Sequence, residues 1–361
     1  MPWHALSALD DALTASKKLL LPFSLRRWLT LAIVAFFVSG ATAFEPNPSF
    51  SFGDGANGAA PGDPVSIVSD GLSVGQLQLL VAVVAVALVV GVVLTYVAAV
   101  MEFVFVDIAR EREVRVRDRV GQHTDAGASL FLFRIAVGLL VLATALTALG
   151  LTIVTGGLFV LVLLLLSPAL VLIGIALWLV LRLTTDFVVP IMLAEGIGVL
   201  DGWRTFWPEL RAEWRQYGAY ALARIILGGV GATVAGIGFV TVAVVLVIPF
   251  GAVGLGGAIL FAQVLGLNVV GFAIGAIAAT LFALSVLVVG TTLVQVPIQT
   301  YLRYYSLFVL GGVTPEYDLV ASIREEIEAQ DGADVDLRDA EEGARDADGE
   351  GGDETFDGDD R

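Results

Sequence analysis

The sequence predicts an all-α polytopic membrane protein, with six transmembrane spans arranged as three helical hairpins. The first observation is composition: 57% of the residues are hydrophobic and the mean hydropathy is +0.87, above the apolar share of a typical soluble domain. The second is that several apolar runs exceed the roughly 18 residues that can cross a bilayer. The third is that all 20 Lys and Arg residues can be placed on one side of the membrane, as the positive-inside rule requires.

Residues 1–24 are predicted to form an amphipathic helix that lies in the membrane interface. Apolar residues recur there at helical spacing, at Trp3, Leu6, Leu9, Leu13 and Leu20. The charged residues fall mostly off that stripe, and Pro22 is expected to end the helix.

The predicted transmembrane domain covers residues 25–310. Its six apolar runs lie at about 28–44, 74–106, 129–155, 157–183, 219–248 and 269–300. For the first run the rival interpretation is a secretory signal with a cleavage site at Ala41-Thr42-Ala43. The charged segment before it would then be about 27 residues long and itself amphipathic, which favours a span.

The segment 251–267 leaves the number of spans open. It is glycine-rich and only weakly apolar, which favours a short outer or re-entrant segment, with a seventh span as the alternative. A seventh span would place Arg303 and Arg324 outside. Six spans are therefore expected, with both termini cytoplasmic and the protein in the cell membrane.

The six runs also show a weak threefold repeat. Each pair begins with an arginine beside apolar residues, at Arg26, Arg134 and Arg224. Each pair closes with a long run that ends in a polar stretch. This order predicts three hairpins that enter and leave on the cytoplasmic side.

Polar side chains at the ends of the spans form the first candidate site. Arg182 and Asp186 are four residues apart on a predicted helix and can form an ion pair. Gln295 and Gln299 share a helix face and can hydrogen-bond across the bundle. A structural interfacial pair is the favoured interpretation, and a transport site for an ion or a small solute is the alternative.

Two further acids receive the same structural interpretation. Glu102 and Asp107 are expected to pair with Arg110 and Arg134 near the cytoplasmic ends of the helices.

An aromatic stripe follows the fourth span and predicts an interfacial elbow helix. Its apolar residues recur every three or four positions, at Trp203, Phe206, Trp207, Leu210, Trp214 and Tyr217. The intervening arginines include Arg204, Arg211 and Arg215, which can reach lipid phosphates. Pro208 is expected at a helix start, which would bend the stripe. An anchoring elbow is favoured over a lipid-headgroup site or a partner-docking face.

The sequence favours neither a catalytic nor a metal site. It has no cysteine and only two histidines, which excludes thiolate metal sites and makes a histidine-rich metal site improbable. No enzyme, no cofactor, no metal and no nucleic-acid partner is expected. The tail at 311–361, with 19 acidic residues and four arginines from residue 313 onward, is predicted to be disordered. Arginine in excess of lysine and the acidic tail are typical of a halophile.

Two stretches carry a family resemblance. "ALDDALTASKKLLLPFSLRRWLTLAIVAFF" and "VVPIMLAEGIGVLDGWRTFWPELRAEW" resemble an uncharacterised family of haloarchaeal six-span membrane proteins. The second is also distantly similar to the membrane portion of some glycerophosphodiester phosphodiesterases. The resemblance implies a six-span fold over about residues 5–310 and brings no catalytic residues.

The expected function is therefore that of a non-enzymatic scaffold or accessory protein in envelope or lipid processes. Its expected partners are membrane lipids and a membrane protein that the sequence does not identify. The alternative function is a transporter or channel component for a small solute or a lipid.

Overall fold

The computed structural model describes residues 4–42, 74–114, 116–330 and 332–333. Within these ranges every regular element is helical, which confirms the all-α prediction. The segment 45–73, which separates the first two predicted spans, and the tail beyond residue 333 lie outside the described residues. In chain order the helices are α1 His4–Leu20, α2 Leu25–Thr42, α3 Val74–Glu111, α4 Val116–Gln122, α5 Thr124–Val154, α6 Phe159–Leu183, α7 Val189–Glu195, α8 Val199–Ala212, α9 Trp214–Ile259, α10 Asn268–Gly290 and α11 Val296–Val313.

Three short π-helical turns join some of these helices without a break. They lie at Thr184–Val188 between α6 and α7, at Leu260–Val264 after α9, and at Thr291–Gln295 between α10 and α11. The predicted outer connection near residue 156 is a tight turn, in which Gly156 and Gly157 adopt positive φ angles of 61° and 90°. Glycine tolerates this backbone conformation because it lacks a Cβ.

Within the described residues, five helical stretches are long and apolar enough to cross a membrane, as expected for a multi-pass membrane protein. They are Val81–Glu111, Thr124–Val154, Phe159–Glu195, Trp214–Val264 and Asn268–Val313. The first predicted span corresponds to α2, which has 18 residues and carries Arg26 and Arg27 in its first turn. It is not among the five, so the sixth span remains a prediction.

The segment 251–267 is neither a re-entrant loop nor a separate span, which corrects the sequence-based interpretation. Its first half continues α9 to Ile259, and the chain reverses only at 265–267, after the π-helical turn. The glycines permit close packing against α10. A Cβ on Gly254 would lie 2.8 Å from the Ala278 Cβ, and one on Gly271 would lie 2.7 Å from the Ala258 carbonyl oxygen.

The long helices divide into two zones along their length. The described side chains of 75–94, which exclude 76, 77, 80 and 87, and those of 159–180 and 268–289 are largely exposed or half-buried, whereas 98–109, 181–192 and 302–311 are almost entirely buried. The first three segments, which we call the apolar band, contain 20 to 22 residues each. At about 1.5 Å per residue they are about 30–33 Å long, close to the roughly 30 Å hydrocarbon thickness of a bilayer. The buried segments, with the short helices packed around them, form a compact region that we call the base.

Helix α1 belongs to the base, and its buried face coincides with the predicted stripe only in part, since Leu20 is buried and Leu9 is half-buried. The helix packs mainly on α11 through small residues, including Ala8, Ala12 and Ala15, while Leu13 is exposed. Alanine permits close approach between two helices, so packing against a neighbour overrides the leucine spacing of the isolated sequence.

The prediction of disorder from residue 311 is wrong for the part of the tail that the structure describes. Residues 315–330, which we call the C-terminal strap, contain a short 3₁₀ turn at Pro315–Tyr317 and a helical segment at 321–330. Val320, Ile323 and Ile327 are buried in the base. These apolar residues recur at helical spacing within an otherwise acidic stretch, a signal that the overall acidity of the tail obscured.

Polar contacts also fasten the strap to the base. Glu326 accepts hydrogen bonds from Lys18 Nζ at 3.0 Å and from Arg112 Nη1 at 2.6 Å. These bonds hold the pKa of the Glu326 carboxyl below its usual value. Tyr317 donates a hydrogen bond of 2.5 Å to Glu195 Oε1, which raises the pKa of Tyr317 to about 12.

Candidate functional site

The most buried charges of the described chain meet where the apolar band joins the base. Glu102 on α3 is fully buried, and its two carboxylate oxygens accept hydrogen bonds from different helices. Its Oε1 accepts from Arg134 Nη2 of α5 at 3.2 Å, and its Oε2 accepts from Arg303 Nη2 of α11. The Arg303 guanidinium also lies over the Phe105 ring, 5.3 Å from its centroid. One carboxylate therefore connects three long helices.

The π-helical turn at Thr184–Val188 supplies two further acceptors, both from Thr185, to the same arginines. The Val189 N–H bonds the Thr184 carbonyl, and Pro190 has no N–H with which to bond the Thr185 carbonyl. Arg303 Nη1 donates to that carbonyl oxygen at 3.0 Å, and Arg134 Nη2 donates to Thr185 Oγ1 at 3.1 Å. The local sequence thus leaves the Thr185 carbonyl oxygen free to accept a hydrogen bond from Arg303, 118 residues away in the chain.

Asp186, in the same turn, is the centre of a second cluster. Its Oδ2 accepts a hydrogen bond from Arg182 Nε at 2.7 Å and one from the Tyr220 hydroxyl at 2.5 Å. Arg224 Nε lies 3.5 Å from the same oxygen. The structure thus contains the ion pair between Arg182 and Asp186 that their spacing predicts, and it adds Tyr220 and Arg224 from α9, which the spacing could not indicate.

The two clusters together hold more positive than negative charge. Arg134, Arg182, Arg224 and Arg303 pair with Glu102 and Asp186, and all six side chains are at most 12% exposed. Removing charges from water is costly, and a buried ion pair offsets that cost only with good geometry and hydrogen bonding. We call these six residues with Thr185 the ionic network.

Asp107 pairs differently from the sequence-based expectation. Its carboxylate lies 2.6 Å from His123 Nε2 and 3.2 Å from Arg119 Nη1, and Arg119 also binds Glu111. Arg110, the expected partner, is exposed. The end of α3 and the following α4 fold back on each other, which brings Arg119 rather than Arg110 to the carboxylate.

The two candidate glutamines are not part of the ionic network. Gln295 ends the π-helical turn at Thr291–Gln295, Gln299 lies one turn further on α11, and both are half-buried. The segment 291–298 repeats the Thr-Thr-x-x-x-Val-Pro-Ile pattern of 184–191. That repeat is a sequence signal for both π-helical turns, which apolar periodicity alone does not reveal.

The aromatic stripe is divided between two environments. Phe206 and Tyr217 are buried around Phe187, with ring centroids 5.1 to 5.6 Å apart. Trp203 is half-buried and donates a hydrogen bond from its indole to Thr184 Oγ1 at 3.0 Å. The bend expected at Pro208 is wrong, because α8 continues through Pro208 and the break falls at Glu213.

The outer face of the elbow carries the other predicted interfacial residues. Trp207 and Trp214 are 46% and 67% exposed. Arg211 lies over the Trp207 ring at 4.7 Å, Arg204 pairs with Asp201 at 2.7 Å, and Arg215 is exposed. Of the six predicted lipid-interface residues, Trp203 is the one that packs inward.

No group of three or more His, Cys, Asp or Glu side chains is placed to hold a metal ion in the described part of the chain. Residues 3–320 match the model of a family of unknown function, DUF7544. No curated protein and no solved structure matches the chain. The match confirms an uncharacterised family, whereas the haloarchaeal origin and the likeness to phosphodiesterases remain predictions.

Proposed function

The chain belongs to DUF7544, a family of unknown function, and on that premise we propose that it is a non-enzymatic scaffold or accessory protein of the cell membrane. It would act in envelope or lipid processes. Membrane lipids and one or more membrane proteins would be its partners, and nucleic acid would not.

One observation carries this proposal: a compact base, joined by buried ion pairs, holds long apolar helices that are exposed over most of their surface. The ionic network joins α3, α5, α6, α9 and α11 at one level. Beyond that level the apolar band presents many exposed leucines and valines. Such a shape offers a large lateral surface to lipids and to other membrane proteins, because in a bilayer the exposed apolar helices must be covered.

The proposed topology has six spans, with α2 as the first and both termini cytoplasmic. In this arrangement the base lies at the cytoplasmic surface, and the outward faces of Trp207 and Trp214 lie near the headgroups. The excess of arginine over lysine supports an origin in a halophile. The distant likeness of the elbow to a lipid-processing enzyme's membrane portion supports the link to lipids.

The proposal is tested by affinity purification of the full chain from native membranes in mild detergent, followed by mass spectrometry of bound proteins and lipids. A reproducible membrane-protein partner at constant ratio is the expected result. Recovery of the chain alone, with solute flux in reconstituted liposomes, would contradict the scaffold proposal.

One feature favours transport as a second candidate. Asp186 is a buried carboxylate in a π-helical turn within a membrane-crossing helix, and both π-helical turns and intramembrane acids are frequent at functional sites. If the protein is a transporter, Asp186→Asn should abolish flux in liposomes while the chain remains folded. Equal flux in protein-free and protein-containing liposomes would eliminate this candidate.

A further inference from the structure

We propose that the cluster of Arg182, Asp186 and Arg224 binds a phosphate group, carried by the headgroup of an anionic phospholipid. The proposal relies on the membrane placement given above but not on the scaffold role. Its first support is the hydrogen bonding of Arg224. The side chain is 8% exposed, and its buried Nε has no hydrogen-bond partner.

The guanidinium of Arg224 has donor capacity that the described chain does not use. Its one charged contact is the 3.5 Å approach of Nε to Asp186 Oδ2. That oxygen already accepts shorter hydrogen bonds from Arg182 and Tyr220. Guanidinium has five N–H donors, and leaving buried donors unpaired is costly. An additional acceptor is therefore expected at this position.

The charge of the cluster indicates the kind of acceptor. Two arginines share one aspartate, so the cluster carries one positive charge in excess. A phospholipid phosphodiester carries one negative charge, and its oxygens match the planar fork of an arginine. Binding it would neutralise the cluster.

Exposed and small residues follow Arg224 along α9. Arg224 lies on α9, where the following Ile225 and Ile226 are exposed. One turn further, Gly228 and Gly229 place no side chain above the guanidinium. A Cβ at Gly228 would be 3.8 Å from Arg224 Nη1, and one at Gly229 would meet no atom within 4 Å. A headgroup can thus approach from the membrane side.

The level of the cluster also suits a headgroup. The exposed segment of α6 ends near Val180, and Arg182 and Asp186 follow directly. If the band of about 30 Å fills the hydrocarbon core, the cluster lies at the phosphate level on the side of the base. Inorganic phosphate has the same chemistry, and the experiment distinguishes the two sources.

The test measures binding to the full chain, delipidated in a neutral detergent, by native mass spectrometry. The probes are short-chain phosphatidylglycerol, short-chain phosphatidylcholine and inorganic phosphate. The variants are Arg224→Gln, Asp186→Asn and, as the control with the same charge change, Arg117→Gln, because Arg117 is exposed and outside the cluster. Folding of each variant is checked by its elution and thermal transition.

We expect the wild type to bind phosphatidylglycerol at least tenfold more tightly than phosphatidylcholine. Arg224→Gln should weaken binding at least tenfold, and Arg117→Gln should leave it unchanged. Asp186→Asn should preserve or tighten binding, because it removes the carboxylate that competes for the arginines. This opposite sign separates a binding role from a purely structural one.

Three results would overturn the proposal. The first is wild-type binding no stronger for phosphatidylglycerol than for phosphatidylcholine, with no binding of phosphate. The second is equal binding by Arg224→Gln and the control. The third is loss of binding in Asp186→Asn as large as in Arg224→Gln. Binding of inorganic phosphate without binding of phosphatidylglycerol would show that the site binds the free ion, and would overturn its assignment to a lipid. None of these results depends on whether a protein partner is found.

Discussion

Replacing Glu102 by glutamine should destabilise the protein strongly, because this carboxylate is the one anion that faces Arg134 and Arg303 in its cluster. The side chain keeps nearly the same volume, so the change tests charge rather than packing. Both arginines are at most 10% exposed and would be left buried without a counter-charge. Breaking a buried ion pair by removing one partner typically costs about 3–5 kcal/mol.

The matched control is Asp201→Asn, which makes the same carboxyl-to-amide change in an exposed pair. Arg204 and Asp201 are 80% and 59% exposed, and such pairs contribute about 0–1 kcal/mol. The free energy of unfolding is measured in mixed micelles by tryptophan fluorescence. The double variant Glu102→Gln with Arg303→Met should be more stable than Glu102→Gln alone, because one unpaired cation is removed.

Two results would refute this reasoning. One is a cost for Glu102→Gln within about 1 kcal/mol of the control. The other is a double variant that is no more stable than Glu102→Gln alone. Either would show that the network contributes little to holding α3, α5 and α11 together.

Three other outcomes are expected. Gly271→Ala should destabilise the packing of α9 on α10 by about 1–3 kcal/mol. Gly275→Ala should be nearly neutral, since its Cβ would make ordinary contact at 3.8 Å. Equal effects of the two variants on the free energy of unfolding would contradict this packing. The depressed pKa of Glu326 means that its contribution to strap docking is present above the ordinary glutamate pKa of about 4.3 and is lost as the pH falls through the lower folded value. The protection factors of 315–330 against hydrogen exchange, corrected for the intrinsic pH dependence of amide exchange, should therefore fall between about pH 5 and 3 in the wild type but not in Glu326→Gln, and identical profiles would count against the contact. Cysteines at Ser51 and Thr355, in a chain that has none, should label from outside and inside respectively, and outside labelling at Thr355 would eliminate the six-span topology.

The sequence was sufficient where an interaction is local. The pairing of Arg182 with Asp186 follows from helical spacing, and the turn at Gly156-Gly157 follows from the backbone freedom of glycine. Long apolar runs likewise indicated the helices that are long and apolar enough to cross a membrane, because their length matches the bilayer.

Contacts between distant segments were not predictable. Glu102 and Arg303 are 201 residues apart, and no periodicity connects them. The glycines of 251–267 weakened the helix prediction, yet close packing against α10 offsets their low helix propensity. The buried Ile323 and Ile327 of the strap were not predicted. The prediction of disorder rested on the acidic composition of the whole tail, and composition does not show the helical spacing of a few apolar residues.

The helices are divided into a lipid-facing apolar band and a base that the ionic network holds together. Oxygen accessibility of spin labels on α3 tests this division most directly. Single cysteines are placed at 81–86 and 88–94 and at 103–108, labelled, and measured in the purified protein in lipid nanodiscs. Exposed residues occur all around the first stretch, including Val83, Val86, Leu88 and Val89, whereas Phe103 and Val104 are buried. Uniformly high accessibility in the first stretch and low accessibility in the second is predicted. A period of 3.6 residues in the first stretch would show that one face of the band is packed, and would contradict the account.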